Sequence, residues 1–320
     1  MEIPRKVQLT GRNTYIVSLP HEWISNRGVK KGDPLYLVQN SDGTITLSLK
    51  QENKELKTCT ISTVNQEKDT IMRNIVSAYV GGAGKIVLRG SGISTVAEEA
   101  RRVLSGVEIT DENGDELILR ILSYDELDIE GIIKREYNVT NGMFGIVIGK
   151  YTDGADVGVE IARKEDDVDR LYLLLLRNVA LGMGREREVV FKTMVAKSIE
   201  KISDHLEDIC NTSSGVERSE DVANLIKLIH VMYSASYETY VNNDVDNKTY
   251  QQTKKKYTQM AKELDEKIKK DKNQGKMLSL KTLVEKCDKL VRYTEDIMES
   301  SCDLAFAKTD QPARGSGESV

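Results

Sequence analysis

Residues 5–49 read RKVQLTGRNTYIVSLPHEWISNRGVKKGDPLYLVQNSDGTITLSL. Apolar side chains alternate along this stretch: Val7 and Leu9, then Tyr15, Val17 and Leu19, then Leu35 and Leu37, then Ile45, Leu47 and Leu49. A period of two is the mark of strands with one buried face. Gly11-Arg12-Asn13 supplies a turn between the first two strands, and Asp42-Gly43 a hairpin turn between the last two. Between the hairpins, Pro20 to Asn26 has room for one short helix that stops near Gly28. Four short strands and one helical turn in about 50 residues cannot bury a sufficient core alone. Pairing with a second copy is the simplest physical solution. The segment is also basic. Over residues 1–50, seven Lys and Arg side chains stand against four Asp and Glu, a net +3 in a chain of −5.

The remainder of the 320 residues has a different character. The four prolines are Pro4, Pro20, Pro34 and Pro312, so none falls between Leu35 and Gln311. Proline removes a donor and clashes inside helices, and a long proline-free run suits helical structure. Aromatics are only 5%, which argues against a large β-sandwich or barrel. At 39% hydrophobic and 30% charged, the composition is ordinary for a helix-rich soluble protein, and the length predicts two or three domains. The longest apolar run, Leu171 to Leu176, is far short of the roughly 20 residues a membrane span needs. No apolar signal segment opens the sequence, and Cys59, Cys210, Cys287 and Cys302 are scattered with no CxxC pair. They read as free thiols, and the chain is expected to be cytoplasmic with no membrane insertion.

A polar connector at 51–56 leads into a segment of order βαβαββ over residues 57–123. Its strands are Lys57 to Val64, Lys85 to Arg89, Val107 to Thr110 and Glu116 to Leu122, the last pair joined at Asn113-Gly114. Its helices are Glu67 to Val80, and one running to about Ser105 that opens on a capping box of Thr95 with Glu98. A second capping box, Ser123 with Glu126, introduces periodic helical segments at roughly 125–151, 157–183, 187–212, 219–242, 247–270 and 276–307. These divide into two groups of three, a possible internal duplication. The predicted domains are therefore 1–50, 57–123 and 124–307, followed by a disordered tail at 308–320.

The stretch at 5–49 resembles the AbrB/SpoVT swapped-hairpin domain. The resemblance is carried by Arg5-Lys6, the strand from Val7 to Thr10, Thr14 to Pro20, Trp23, and Gly28 to Asp33. It implies that two chains interleave their hairpins into one barrel, a homodimer through the N-terminal domain with a basic face that docks on DNA. The DNA contacts expected are Arg5, Lys6, Gln8, Arg12 and Asn13, on the polar side of the first strand and its turn. Arg and Lys neutralise phosphates, and Arg, Gln and Asn also read base edges. The competing reading is a module that only dimerises.

Residues 196–210, AKSIEKISDHLEDIC, are similar to the signature helix of the PhoU family of phosphate-uptake regulators, Glu-x-x-x-Asp followed by His. Here that is Glu200 to Asp204 with His205, and an upstream helix repeats the spacing at Glu165 and Asp169. Acidic pairs four residues apart are common on solvated helix faces, so the surrounding sequence carries the resemblance, not the spacing. PhoU proteins are two tandem three-helix repeats, and the whole chain looks like the archaeal-type PhoU protein with an AbrB-like domain. The resemblance implies an iron or zinc site at Glu165, Asp169, Glu200 and Asp204. His205 reads either as a residue behind the ligands or as a surface histidine. The second repeat departs from the pattern: Val291 stands where the first acid belongs and Glu295 where the second does, with Arg292 a candidate to occupy the space of a missing cation.

The expected fold is thus multidomain and mainly α: an N-terminal swapped-hairpin β barrel, a small α/β subdomain, and a PhoU-like bundle of two three-helix repeats. Other constellations are weak. Gly81-Gly82-Ala83-Gly84-Lys85 lacks the spacing of a phosphate cradle and leads into a strand, so it reads as a helix stop. Arg101-Arg102 and the run at Lys254-Lys255-Lys256 read as solvated helix faces. With only His21, His205 and His230, acid–base chemistry has few candidates, and no enzyme is expected. The leading expectation is a DNA-binding regulator of phosphate uptake. The alternatives are an adaptor that inhibits a phosphate ABC transporter through its ATPase subunit without binding DNA, and a metal-storage bundle.

Overall fold

The computed structural model describes residues 4–39, 45–49, 57–122, 128–182, 186–212, 216, 218–243 and 245–308. The chain divides into two compact units, Met1–Glu55 and Leu56–Val320. The first unit is two hairpins around a short helix. Strands β1 (Gln8–Thr10) and β2 (Thr14–Ile16) pair antiparallel with Leu9 opposite Tyr15. Gly11 takes the left-handed conformation, φ 68°, that their turn requires. Helix α1 (His21–Asn26) ends before Gly28, also left-handed, as read. Strands β3 (Tyr36–Gln39) and β4 (Ile45–Ser48) pair with Leu37 opposite Leu47, and the Asp42-Gly43 turn lies outside the described residues. No described side chain of this unit is buried. Val7, Leu9, Tyr15, Val17, Leu37 and Ile45 are each 50–73% exposed, so the alternating faces that define its strands have no core to face within one chain.

The second unit begins with β5 (Lys57–Ser62), α2 (Lys68–Val80), β6 (Ala83–Arg89), α3 (Ile93–Val103), β7 (Val107–Asn113) and β8 (Glu116–Ile121). The sheet order is β5-β6-β8-β7. Strands β5 and β6 run parallel across the α2 crossover, and the other two pairings are antiparallel. Ile75 and Tyr79 of α2 join Ile86, Leu88, Leu117 and Leu119 of the sheet in one fully buried core. The Thr95 and Glu98 capping box does not form. The cap of helix α3 lies three residues earlier, on a left-handed Gly92 with no side-chain cap, because Ile93 and Val96 are drawn into that core. Gly81 and Gly82 form the turn after α2, and Ala83 already belongs to β6, so the glycine-rich run is a helix stop.

Among the described residues, six helices follow: α4 (Ile129–Asp153), α5 (Gly158–Ala180), α6 (Glu186–Asn211), α7 (Glu220–Asn242), α8 (Lys248–Lys270) and α9 (Gln274–Lys308). The box of Ser123 and Glu126, the connector at 51–56 and residues 309–320 of the expected tail lie outside the described residues. The cap of α4 is Asp128, whose carboxylate accepts the Gly131 N–H at 2.8 Å. Ser219 and Asn247 cap α7 and α8 in the same way, and left-handed Gly154 and Asn243 close α4 and α7. Helices α4, α5 and α6 pack on one another, as do α7, α8 and α9. The two trios meet along α6 with α9 and α4 with α7, around a single apolar core. Among the described residues, no helix is long and apolar enough to cross a membrane.

One buried cation ties the sheet layer to the bundle. Arg177 of α5 is 5% exposed, and its Nη1 donates to the carbonyls of Tyr79 at 2.6 Å and Ala83 at 2.7 Å. Its guanidinium also lies 4.9 Å from the Tyr79 ring centre. The Tyr79 carbonyl belongs to the last turn of α2, where carbonyls lack helical partners and the helix dipole is negative. Helix α5 also packs on α3, where Arg102 reaches Asp166 at 2.9 Å. Replacing Arg177 by Met should cost about 2–4 kcal/mol, because it removes two charge-assisted hydrogen bonds from a dry contact and leaves the Tyr79 carbonyl with the Gly82 N–H alone. Lys at this position should recover only part, lacking the planar fork. Calorimetric melting of the three proteins checks both expectations.

Candidate functional site

The basic residues expected on DNA are all exposed. Gln8 lies in β1, and Arg12 and Asn13 sit in the turn beyond it. Arg5 and Lys6 precede β1 instead of lying along it, which corrects the expectation that they share its polar face. Lys30 is part of a turn in which its backbone N–H donates to the Asp33 carboxylate at 2.7 Å, a role in chain reversal.

The carboxylates of the bundle converge. Glu165 and Asp169 lie one turn apart on α5, and Glu200 and Asp204 one turn apart on α6, so each pair projects from one side of its helix. Beside those sides, Val168, Leu171 and Leu175 of α5 and Ile199, Ile202 and Leu206 of α6 are buried and fix both helices against the core. Oxygens of Glu165, Asp169 and Asp204 come within 4.8 Å of one another. Glu200 lies deeper, 8% exposed, and is held by Lys197 at 2.8 Å and Lys201 at 3.4 Å. Lys201 also grips Asp204 at 2.6 Å, while Lys197 rests over the Tyr172 ring. Burial, then the charges of Asp169, Glu207 and Asp204, push the Glu165 carboxyl up to about 8. Burial and the charges of Glu200 and Asp204 push Asp169 up to about 6, against the opposing pull of Lys197 and Lys201.

A fifth acid, Glu136 of α4, escaped the sequence reading. It is fully buried, and among the described residues neither of its carboxylate oxygens has a hydrogen-bond partner. Burial first, then the charges of Glu200 and Asp169, hold it neutral well above the ordinary carboxylate range. A signal existed: position 136 continues the inward row of Ile132, Ile133, Met143, Phe144 and Val147, so a charge stands where the periodicity demands an apolar side chain.

This centre fits a metal ion. An orphaned buried carboxyl calls for a cation or water that would satisfy it. The donors are all carboxylate oxygens on helices of one bundle, the arrangement of iron and manganese carboxylate sites and less that of zinc, which favours nitrogen and sulfur. His205 is not among the donors. Its Nδ1 donates to the Lys201 carbonyl at 3.0 Å, and its ring meets Tyr293 edge-on.

Among the described residues, the second repeat shows no equivalent cluster. Glu295 of α9 is paired with Lys254 of α8, so a lysine ammonium stands beside the one acid that keeps the pattern. Arg292 is exposed and does not fill that place. The neighbouring positions carry buried Val291 and a Thr294 whose hydroxyl lies 3.0 Å from that of Tyr250.

Residues 8–55 match the family model described as antidote-toxin recognition MazE, bacterial antitoxin, and residues 133–213 match that of the PhoU domain. No curated protein matches the chain. The chain thus joins an AbrB-like N-terminal module to a PhoU domain, and both families are regulatory, not catalytic. The first suggests a DNA-binding regulator and the second phosphate homeostasis. The PhoU match spans the helices that carry all five acids.

The raised carboxyls set a pH dependence. A carboxyl whose folded pKa exceeds its unfolded value stabilises the fold most at low pH, and this contribution is lost as pH rises through the folded pKa. For metal-free protein the window runs from the ordinary carboxylate range, through about 6 for Asp169, to about 8 for Glu165. Between pH 5 and pH 8 the melting temperature of metal-free wild type should therefore fall more steeply than that of a Glu165→Gln, Asp169→Asn double variant. Parallel profiles from differential scanning calorimetry would show that these groups are not strained.

Proposed function

We propose that the protein is a cytoplasmic, homodimeric, DNA-binding transcription regulator of phosphate uptake, with a carboxylate metal centre in its PhoU domain. Two copies of the N-terminal module interleave their hairpins, burying the apolar faces of Val7, Leu9, Tyr15 and Leu37 that one copy leaves in water. Fully burying each such side chain contributes about 1.5–3 kcal/mol. That set of core-less strands is the observation that carries the reading, because it makes a second copy a condition of folding for this module. Arg12 and Asn13 at the hairpin tip, with Arg5 and Lys6 ahead of β1, supply the basic contacts to DNA phosphates and base edges.

In the bundle, Glu165, Asp169 and Asp204, with Glu200 beside them, would hold a hard cation of the iron type. When bound, such an ion supplies positive charge among the carboxylates. Lys197 and Lys201 orient Glu200 and Asp204 toward their neighbours on α5 and offset part of the repulsion in its absence.

Three measurements test this reading. Leu9→Asp should convert a dimer into an aggregating or unfolded N-terminal module, read by sedimentation equilibrium. Arg12→Ala should weaken binding to promoter DNA of phosphate-transport genes about tenfold and flatten the log–log salt slope by roughly one. Glu165→Gln with Asp204→Asn should strip iron from the purified protein in elemental analysis. A protein that binds no DNA at low salt but copurifies with a transporter ATPase would favour the adaptor role.

A further inference from the structure

We propose that Glu136 of α4 is an additional, innermost ligand of this metal centre, so that all three helices of the first repeat meet on the ion. The inference rests on the metal-centre reading above. Its first support is placement. Glu136 lies among Ile132, Ile133, Met143 and Phe144, with no surface to explain a carboxylate there. Its second support is the absence of any partner. Both oxygens are buried, and neither finds a donor among the described residues. A structural buried acid is ordinarily held by hydrogen bonds or an opposite charge, and one without either is a net loss that an apolar side chain of like volume would remove.

The third support is direction. The charges that act on Glu136 are Glu200 and Asp169, one from each of the other two helices. The lysines of the site lie elsewhere: Lys197 and Lys201 close on Glu200 and Asp204. Glu136 thus lies near acids of both other helices, and among the described residues no lysine or arginine pairs with it. Glu165, Asp169 and Asp204 are half-buried, so an ion enters from their side and Glu136 forms the floor. A floor of this kind demands a cation that sheds water for oxygen ligands, which selects hard divalent ions over those that prefer sulfur or nitrogen.

The test uses the full-length protein, stripped with chelator and titrated anaerobically with Mn2+ and with Fe2+. Free Mn2+ is read by electron paramagnetic resonance, Fe2+ binding by calorimetry, and the rise in melting temperature is recorded for each. Glu136→Gln should lower the affinity for both ions at least tenfold and shrink the ion-induced rise in melting temperature. The same variant without metal should melt no lower than wild type, a result that separates a ligand from a packing residue. Glu136→Asp, which keeps the charge but withdraws it by one methylene, should lie between the two, and it carries the test if the Gln variant does not fold. Wild-type affinity in Glu136→Gln or in Glu136→Asp, alongside loss of binding in Glu165→Gln, overturns the role of Glu136 and leaves the metal centre standing. If wild type binds neither ion, both readings fall together.

Discussion

The bundle is organised around a repulsion. Acids from α5 and α6 share a space between packed helices, three of them with oxygens within 4.8 Å of one another, and Glu136 of α4 is buried near Glu200 and Asp169. At that separation, an ionised pair in a medium of effective dielectric near 20 repels by roughly 3.5 kcal/mol. Without an ion the chain offsets this in two ways. Glu136, Glu165 and Asp169 keep their protons into a higher pH range, and two lysines of α6 clasp the two acids of their own helix. The second repeat solves the same problem in another manner. There Val291 and a lysine from the facing helix stand in place of the crowd of acids. The two halves share a helical plan and differ in whether their central charge is covalently attached.

The first unit obeys a different constraint. Its strands are correct in period and pairing, yet each apolar face is open to water in a single chain. Local propensity and turn chemistry are enough to draw the hairpins, because Gly11 and Gly28 adopt the left-handed conformations the reversals need. They are not enough to stabilise them, since a two-stranded hairpin is marginal in water. In the proposed dimer, folding of this module is tied to chain concentration, and that of the second unit to its own core.

What the sequence could express as a period was legible in it. The six helices, the βαβαββ order and the paired acids on α5 and α6 all follow from spacing along one element. What depends on a second element was not. Glu136 and Arg177 are charges at inward positions, and a periodic reading treats such residues as interruptions of the apolar row. Lys254 reads as part of a solvated run because its acid partner, Glu295, is on the next helix and no spacing along one element reveals it. The capping box at Thr95 had the right residues and lost to the burial of Ile93, one turn being a small gain beside a core side chain. His205 followed a motif, but its own backbone and Tyr293 claim its ring.

Helix α5 has one further property. Its two acids and Arg177 ride on the same uninterrupted rod, with Arg177 about 12 Å beyond Asp169 along the axis. No glycine, proline or bulge lies between them to absorb a displacement. At the far end, the guanidinium grips two carbonyls at the junction of α2 and β6. Mechanically this is a pushrod with a socket at one end and an electrostatic load at the other. Any slide or roll of α5 that relieves crowding among the acids must be delivered to the sheet layer at that socket, without slack.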